Sequence, residues 1–362
     1  MIAVAAQQLS RNYNSGMFLP LALAVVSIVP PQGEPAFRQP QIAVHGDWVG
    51  VTFGSKEAIY FASSDDGGRT FSEAVEVASP KNFSLGRHRG PRIAISDQSI
   101  VVSAVAGELG GGKDGDVIAW RSTDGGKTWS DGVRINDVAA SAREGLHAMA
   151  AGKGGQVFAA WLDLRAKGTR IYGSRSTDGG ATWSENVLVY ESPGGTVCQC
   201  CHPSVAIYGA GNVAVMFRNA LDGMRDMYVA KSTDGGKTFG TARKLGEGSW
   251  PLEACPMDGG GVAFDAAGGV LSAWRRDTEV FYAPMGKPET KLGVGKDPAV
   301  ANSAAGTTVV WSEGKSLKAA RPNGSEATTL SESGAYVSLA AGSAVIAAWE
   351  EGERGIAVRR ID

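Results

Sequence analysis

Histidine and cysteine are scarce in this chain, with four of each among 362 residues. Excess charge of either sign is missing too: 35 Lys and Arg stand against 37 Asp and Glu, a formal net of −2. No basic stripe exists, which removes electrostatic support for nucleic-acid binding. Runs of Lys or Glu are absent, and with them the signature of long solvated tails. No apolar run reaches the length of a membrane span. The best candidate, Met17 to Val29 (MFLPLALAVVSIV), has signal-peptide length, but Arg11 is the only positive side chain before it and no A-x-A cleavage site follows. The other reading makes Val25 to Val29 a strand, and the repeat register favours it. Residues 1–16 then read as a disordered extension or a misplaced start, and residues 17–362 as one folded unit.

Glycine is plentiful, at 50 residues, and much of it belongs to one phrase said four times. The phrase runs Ser64 to Phe71 (SSDDGGRTF from 63), Ser122 to Trp129 (STDGGKTW), Ser176 to Trp183 (STDGGATW) and Ser232 to Phe239 (STDGGKTF). The pattern is S-x-D-x-G-x-T-[W/F], recurring about every 55 residues, the mark of a repeat architecture. Its logic is local: the carboxylates of Asp66, Asp124, Asp178 and Asp234 can accept N–H groups of their own turn, and glycine supplies a positive-φ step. These four aspartates read as structural.

Each repeat opens with a short apolar strand, often after proline. The seven openings begin at Pro40, Pro91, Leu146, Pro203, Gly260, Pro298 and Tyr336. A turn and a second strand follow, ending on an aromatic in six of the seven: Phe53, Trp161, Phe217, Trp274, Trp311 and Trp349. Strand-sized runs punctuated by turns argue an all-β chain. Four strands per repeat argue the blades of a single β-propeller, seven favoured and six the alternative. The seventh repeat has only three strands before the end of the sequence, and Val25 to Val29 is placed to supply the fourth. Such closure would tie down both ends of the ring.

The recurring phrase resembles the Asp-box of the sialidase superfamily, the BNR-repeat β-propellers. The resemblance is specific for fold and weak for activity. It implies a ligand site where the loops leading into the inner strands gather at the channel mouth. In sialidases that site has an arginine cluster, a tyrosine nucleophile relayed by a glutamate, and an aspartate acid/base. Arg38 in FRQP resembles the first arginine of the family, Arg218 or Arg225 the second, and Tyr336 the nucleophile; Arg89 and Arg92 share the same loops. A guanidinium fork matches a carboxylate in two places, which explains the arginines. Glu253 and Glu144 are the candidates for the relay. The hairpin Gly54 to Ala58 is too short to carry the family's acid aspartate. The resemblance thus implies a periplasmic or secreted monomer that binds a carbohydrate or other small anionic ligand, as a glycosidase needing no cofactor or as a non-catalytic binding or scaffold propeller.

A second chemistry shares those loops. Cys198, Cys200, Cys201 and His202 open the fourth repeat, Cys255 lies in the matching loop of the fifth, and His88 and His147 lie in the second and third. Thiolates and imidazoles together suit copper or zinc. Disulfide pairing, with Cys255 bridged to the CQCC loop, is one alternative in an exported protein, and free buried thiols are the other.

Overall fold

The computed structural model describes residues 24–361. Residues 1–16, read from sequence as an extension or misplaced start, lie outside that range. Among the described residues, twenty-eight strands form seven four-stranded antiparallel sheets. The inner strands are Arg38–His45, Arg92–Ile95, His147–Ala151, Ser204–Tyr208, Gly261–Phe264, Lys296–Ser303 and Ala335–Ala341. Each contacts the inner strands of the two flanking blades, so the sheets close into a ring around a channel. The fold is a seven-bladed β-propeller. Among the described residues no helix is long and apolar enough to cross a membrane.

Ring closure follows the expected route. Val26–Ile28 pairs antiparallel with Ile356–Arg360, Val26 opposite Val358 and Ile28 opposite Ile356, completing the last blade from the other end of the chain. Ile28 is buried in one cluster with Phe37, Phe53 and Ile356, so closure also joins the last blade to the first. The six aromatics that end the second strands are all buried between blades. A buried large apolar side chain contributes about 1.5–3 kcal/mol, and here that contribution is repeated blade by blade.

The four repeated turns fold by one hydrogen-bond scheme. In the first, Asp66 Oδ1 accepts from the N–H groups of Arg69 (2.8 Å) and Thr70 (3.0 Å), and from Ser64 Oγ (2.7 Å). Asp66 Oδ2 accepts from Thr70 Oγ1 at 2.7 Å. Asp124, Asp178 and Asp234 repeat these contacts. The second glycine of each turn has φ between 83° and 87°, and at Gly126 a Cβ would strike the Phe61 ring 2.2 Å away. Any side chain there would separate two blades.

All four carboxyls are held below the usual range. Threonine hydroxyls are the largest cause at Asp66 and Asp124, and the Ser232 hydroxyl is at Asp234. At Asp178 burial pushes upward, but the Thr182 and Ser176 bonds outweigh it and the pKa falls to about 2. A depressed folded-state pKa stabilises above the unfolded value of about 3.9 and loses that contribution as pH falls towards 2. Asp178→Asn should therefore melt below the parent at pH 7 and converge with it near pH 2. Melting curves that stay parallel across that range would contradict the scheme.

Candidate functional site

The channel mouth is shaped by how the chain enters the inner strands. Gln39, Asp297 and Tyr336 take equivalent places in blades 1, 6 and 7, with φ of 53°, 54° and 53°. Each sits in a register shift of its inner strand: between Arg38 and Gln41, Lys296 and Ala299, and Ala335 and Ser338. The left-handed conformation costs an L-residue about 1–2 kcal/mol, and three blades adopt it with a polar or aromatic side chain. The bulge turns that side chain towards the channel.

Blade 2 contributes a projecting turn. Gly86 and Arg89 exchange backbone hydrogen bonds at 2.9 and 3.1 Å, with Arg87 and His88 between them at φ 50° and 66°. Two central residues with positive φ make a hairpin turn of the primed kind. His88 at its tip reaches three other blades. Its Nε2 lies 2.9 Å from Asp297 Oδ1 of blade 6. Its ring stacks on His202 of blade 4, centroids 4.4 Å apart, and meets Tyr336 of blade 7 edge-on at 5.1 Å. A side chain that touches blades 4, 6 and 7 from blade 2 lies near the axis and crosses the mouth. Beneath it is a cavity of about 440 Å³ whose polar end is formed by Gln39, His88, Arg92, His202, Asp297 and Tyr336.

Behind this layer lies a carboxylate pair. Asp258 is fully buried, and its Oδ2 accepts the Asp297 N–H at 2.9 Å while Oδ1 accepts that of Gly260 at 3.3 Å. Burial, then the nearby Asp297 charge, pushes the Asp258 carboxyl up. Burial pushes Asp297 the same way, but the His88 hydrogen bond and charge outweigh it and hold Asp297 low. His202 is driven well below the ordinary imidazole value by burial and then by His88 and Arg92, so it stacks as a neutral ring.

The five arginines singled out in the sequence have different fates. Arg38 stays open, its side chain 47% exposed, with Nε 3.3 Å from Glu350 Oε2. Glu350 Oε1 in turn accepts the Gln39 N–H at 2.7 Å and Gln39 Nε2 at 3.1 Å. Arg218 is a brace. It is 1% exposed and donates to the carbonyls of Asp258 (3.0 Å), Arg225 (2.7 Å) and Arg275 (3.0 Å). Arg92 is likewise buried, on the carbonyls of His147 (2.9 Å), Pro91 (3.0 Å), Gly90 (3.2 Å) and His88. Arg89 donates to the Glu144 carbonyl at 2.7 Å. Arg225 is half-buried, its Nε without a partner, and adds charge beside Cys255. Arg218 and Arg92, expected from the sequence to face a ligand, have donors engaged by carbonyls of neighbouring loops.

Tyr336 is at the mouth as expected, but the carboxylates around it are Glu350 and Asp297. Burial, then these two charges, pushes its phenol up, so at neutral pH it holds its proton. Of the expected relays, Glu144 sits with Arg89, Arg143 and Cys200, and Glu253 is exposed on the loop before Asp258. The sequence reading passed over Asp297, Asp258, Glu350 and Gln39 as site residues. One signal was available: Gln39, His202 and Asp297 each directly precede a proline that opens an inner strand.

The cysteines gather beside the mouth as free thiols. Cys198 Sγ lies 3.4 Å from Cys201 Sγ and 3.7 Å from Cys200 Sγ. Cys255, from the next blade, is hydrogen-bonded to Cys200 and is pushed up to about 11 by that bond and by burial. No histidine joins the three clustered sulfurs among the described residues. His202 turns to the channel and stacks on His88. His147 is fully buried, its Nε2 3.0 Å from Ser103 Oγ and its Nδ1 without a partner. The mixed Cys/His ligand set expected from sequence thus separates into a thiol cluster and a channel ring.

Residues 40–195, the first three blades, match the family model of the BNR repeat-like domain. A search of curated proteins found no sequence match. Among solved structures, the chain is similar to an alpha-L-arabinanase from Penicillium chrysogenum complexed with arabinobiose (15% identity, 94% of this chain and 98% of that one, TM-score 0.54). It is similar also to a leech intramolecular trans-sialidase complexed with 2,7-anhydro-Neu5Ac (12%, 90% and 67%, TM-score 0.54). A third is a polysaccharide lyase, ulvan lyase, bound to -[GlcA(1-4)Rha3S]- (11%, 93% and 96%, TM-score 0.54). At these identities the likeness is one of fold.

Arg218→Ala leaves three buried carbonyls without their donor, at about 1–3 kcal/mol each. Chemical denaturation should show a loss above about 3 kcal/mol, with Arg218→Lys recovering only part. Unchanged stability would contradict the bracing role.

Proposed function

Proceeding from a seven-bladed propeller with BNR repeats, we propose that this protein binds an anionic carbohydrate at the channel mouth. One observation carries the reading: His88 and Tyr336 meet at the polar end of an axial cavity of about 440 Å³, and the Arg38 charge acts on the Tyr336 phenol from beside it. Arg38 offers an open guanidinium for a carboxylate or sulfate. Tyr336, protonated at neutral pH, offers a hydroxyl donor, and the His88 ring offers a polar edge beside it. Asp297, which lines the cavity, supplies an acceptor for sugar hydroxyls. Support from fold alone comes from the similar structures, two of which hold acidic sugars.

Hydrolysis is the second reading, favoured by one specific contact: the Tyr336 ring meets His88 edge-on and its phenol feels the Glu350 charge, two groups that could act as base during attack. A buried carboxyl with a raised pKa, Asp258, lies in the next layer.

Both readings are tested with one set of proteins. Titration with sialic acid and glucuronate should show binding that Arg38→Ala weakens about 10–100-fold, the worth of a charge-assisted hydrogen bond. Equal affinities in parent and variant would overturn the binding site. A fluorogenic sialoside should be cleaved by the parent and not by Tyr336→Phe if the site is hydrolytic. An inert parent that still binds would leave a binding propeller.

A further inference from the structure

The thiol cluster is not used by the ligand site. Three of its sulfurs come from one loop, Cys198, Cys200 and Cys201, and all lie within 4.8 Å of one another. Two of the separations are 3.4 and 3.7 Å. A disulfide would bring two sulfurs to about 2.05 Å. Thiolates sharing an ion at about 2.3 Å are instead spaced by roughly 3.8 Å in tetrahedral and about 4.0 Å in trigonal geometry, a small outward movement from what is seen here.

The surroundings suit thiolates. The Arg218 guanidinium, fixed by its three carbonyls, lies near Cys198 and Cys201. The Arg225 side chain lies near Cys255, and its Nε is a buried donor with no partner. Two cationic groups thus flank a pocket of sulfur, where an uncompensated set of thiolates would be costly to bury. The loop itself is held firm, with the Cys198 N–H bonded to the Arg218 carbonyl at 3.0 Å. Three ligands are therefore largely placed before any ion arrives.

We propose that Cys198, Cys200 and Cys201 form a binding site for a thiophilic metal ion, univalent copper. Soft sulfur ligands select Cu(I) and zinc among the biological ions. Zinc in structural sites takes four ligands. Here three sulfurs converge within 4.8 Å of one another, while Cys255 is exposed and approaches the group only at Cys200. Binding involves no redox step: each ligating thiol gives its proton to solvent as its sulfur bonds the ion. The ion would fix the CQCC loop, which runs directly into His202 of the channel ring.

The test uses the full chain, purified with its thiols reduced and kept anaerobic. Competition against the chromophoric Cu(I) chelator bicinchoninate should show one Cu(I) withdrawn per chain. X-ray absorption should show sulfur scatterers alone at about 2.3 Å. Cys198→Ser should lower Cu(I) affinity beyond the roughly 10–100-fold that a change outside the ligand shell produces. Cys255→Ser should keep the ion. Because Cys198→Ser could unfold the loop, the absorption spectrum of the parent serves as an independent readout. Zinc held in preference to Cu(I), and lost in Cys255→Ser, would overturn the copper assignment. Protein that holds neither ion, or whose cysteines pair into disulfides on isolation, would overturn the site. Neither failure touches the carbohydrate reading, which rests on the channel ring.

Discussion

Seven inner strands converge on one axis, and the residue opening each strand must turn before the strand can run along the channel. That constraint is met by left-handed backbone at Gln39, Asp297 and Tyr336, held in place by bulges. The rest of the mouth depends on it. Because the bulge aims Asp297 at the axis, its carboxylate reaches the imidazole of His88, 209 residues away in sequence. Because it aims Tyr336 there, the phenol meets the same ring. The periphery does different work. The repeated aspartate turns and the closing strand keep the blades in register, and their chemistry ends in their own hydrogen bonds.

Polar groups of the mouth sit in two layers with opposite roles. Arg92, Arg218 and Asp258 form the inner layer, buried and satisfied by backbone groups of neighbouring loops. Their charges are not free to meet a ligand. Removing one leaves several partners unsatisfied, so their importance is for the shape of the mouth. Arg38, His88 and Tyr336 form the outer layer, in which Arg38 is open to solvent and His88 and Tyr336 are half-buried beside the cavity. Glu350 links the layers, since it holds both the buried Gln39 and the exposed Arg38.

Much of this fold was legible in the sequence because its signals are local. A turn that satisfies its own aspartate is written in eight consecutive residues, and its fourfold repetition fixes the architecture. The closing strand was legible from spacing, as Val26–Ile28 stands where the seventh repeat lacks a strand. The site was only partly legible. The loops that would gather at the mouth could be named, together with Arg38, Tyr336 and the cysteines. The bracing of Arg218 was not legible, because the three carbonyls it meets come from separate segments of blades 4 and 5. The separation of His202 from the cysteines was not legible, because Cys201 is buried while the ring of His202 stacks on His88 at the channel. The partnership of His88 with Asp297 depends on where two blades come to rest, which no local pattern encodes.

The central claim is that the outer layer, His88, Tyr336 and Arg38, receives an acidic sugar above the axial cavity. A crystal structure of the protein soaked with sialic acid or glucuronate tests it most directly. The account predicts density at the mouth, with a ligand carboxylate within about 3 Å of the Arg38 guanidinium and the Tyr336 hydroxyl nearby. A ligand bound elsewhere on the blades, or a mouth that stays empty at saturating sugar, would contradict it.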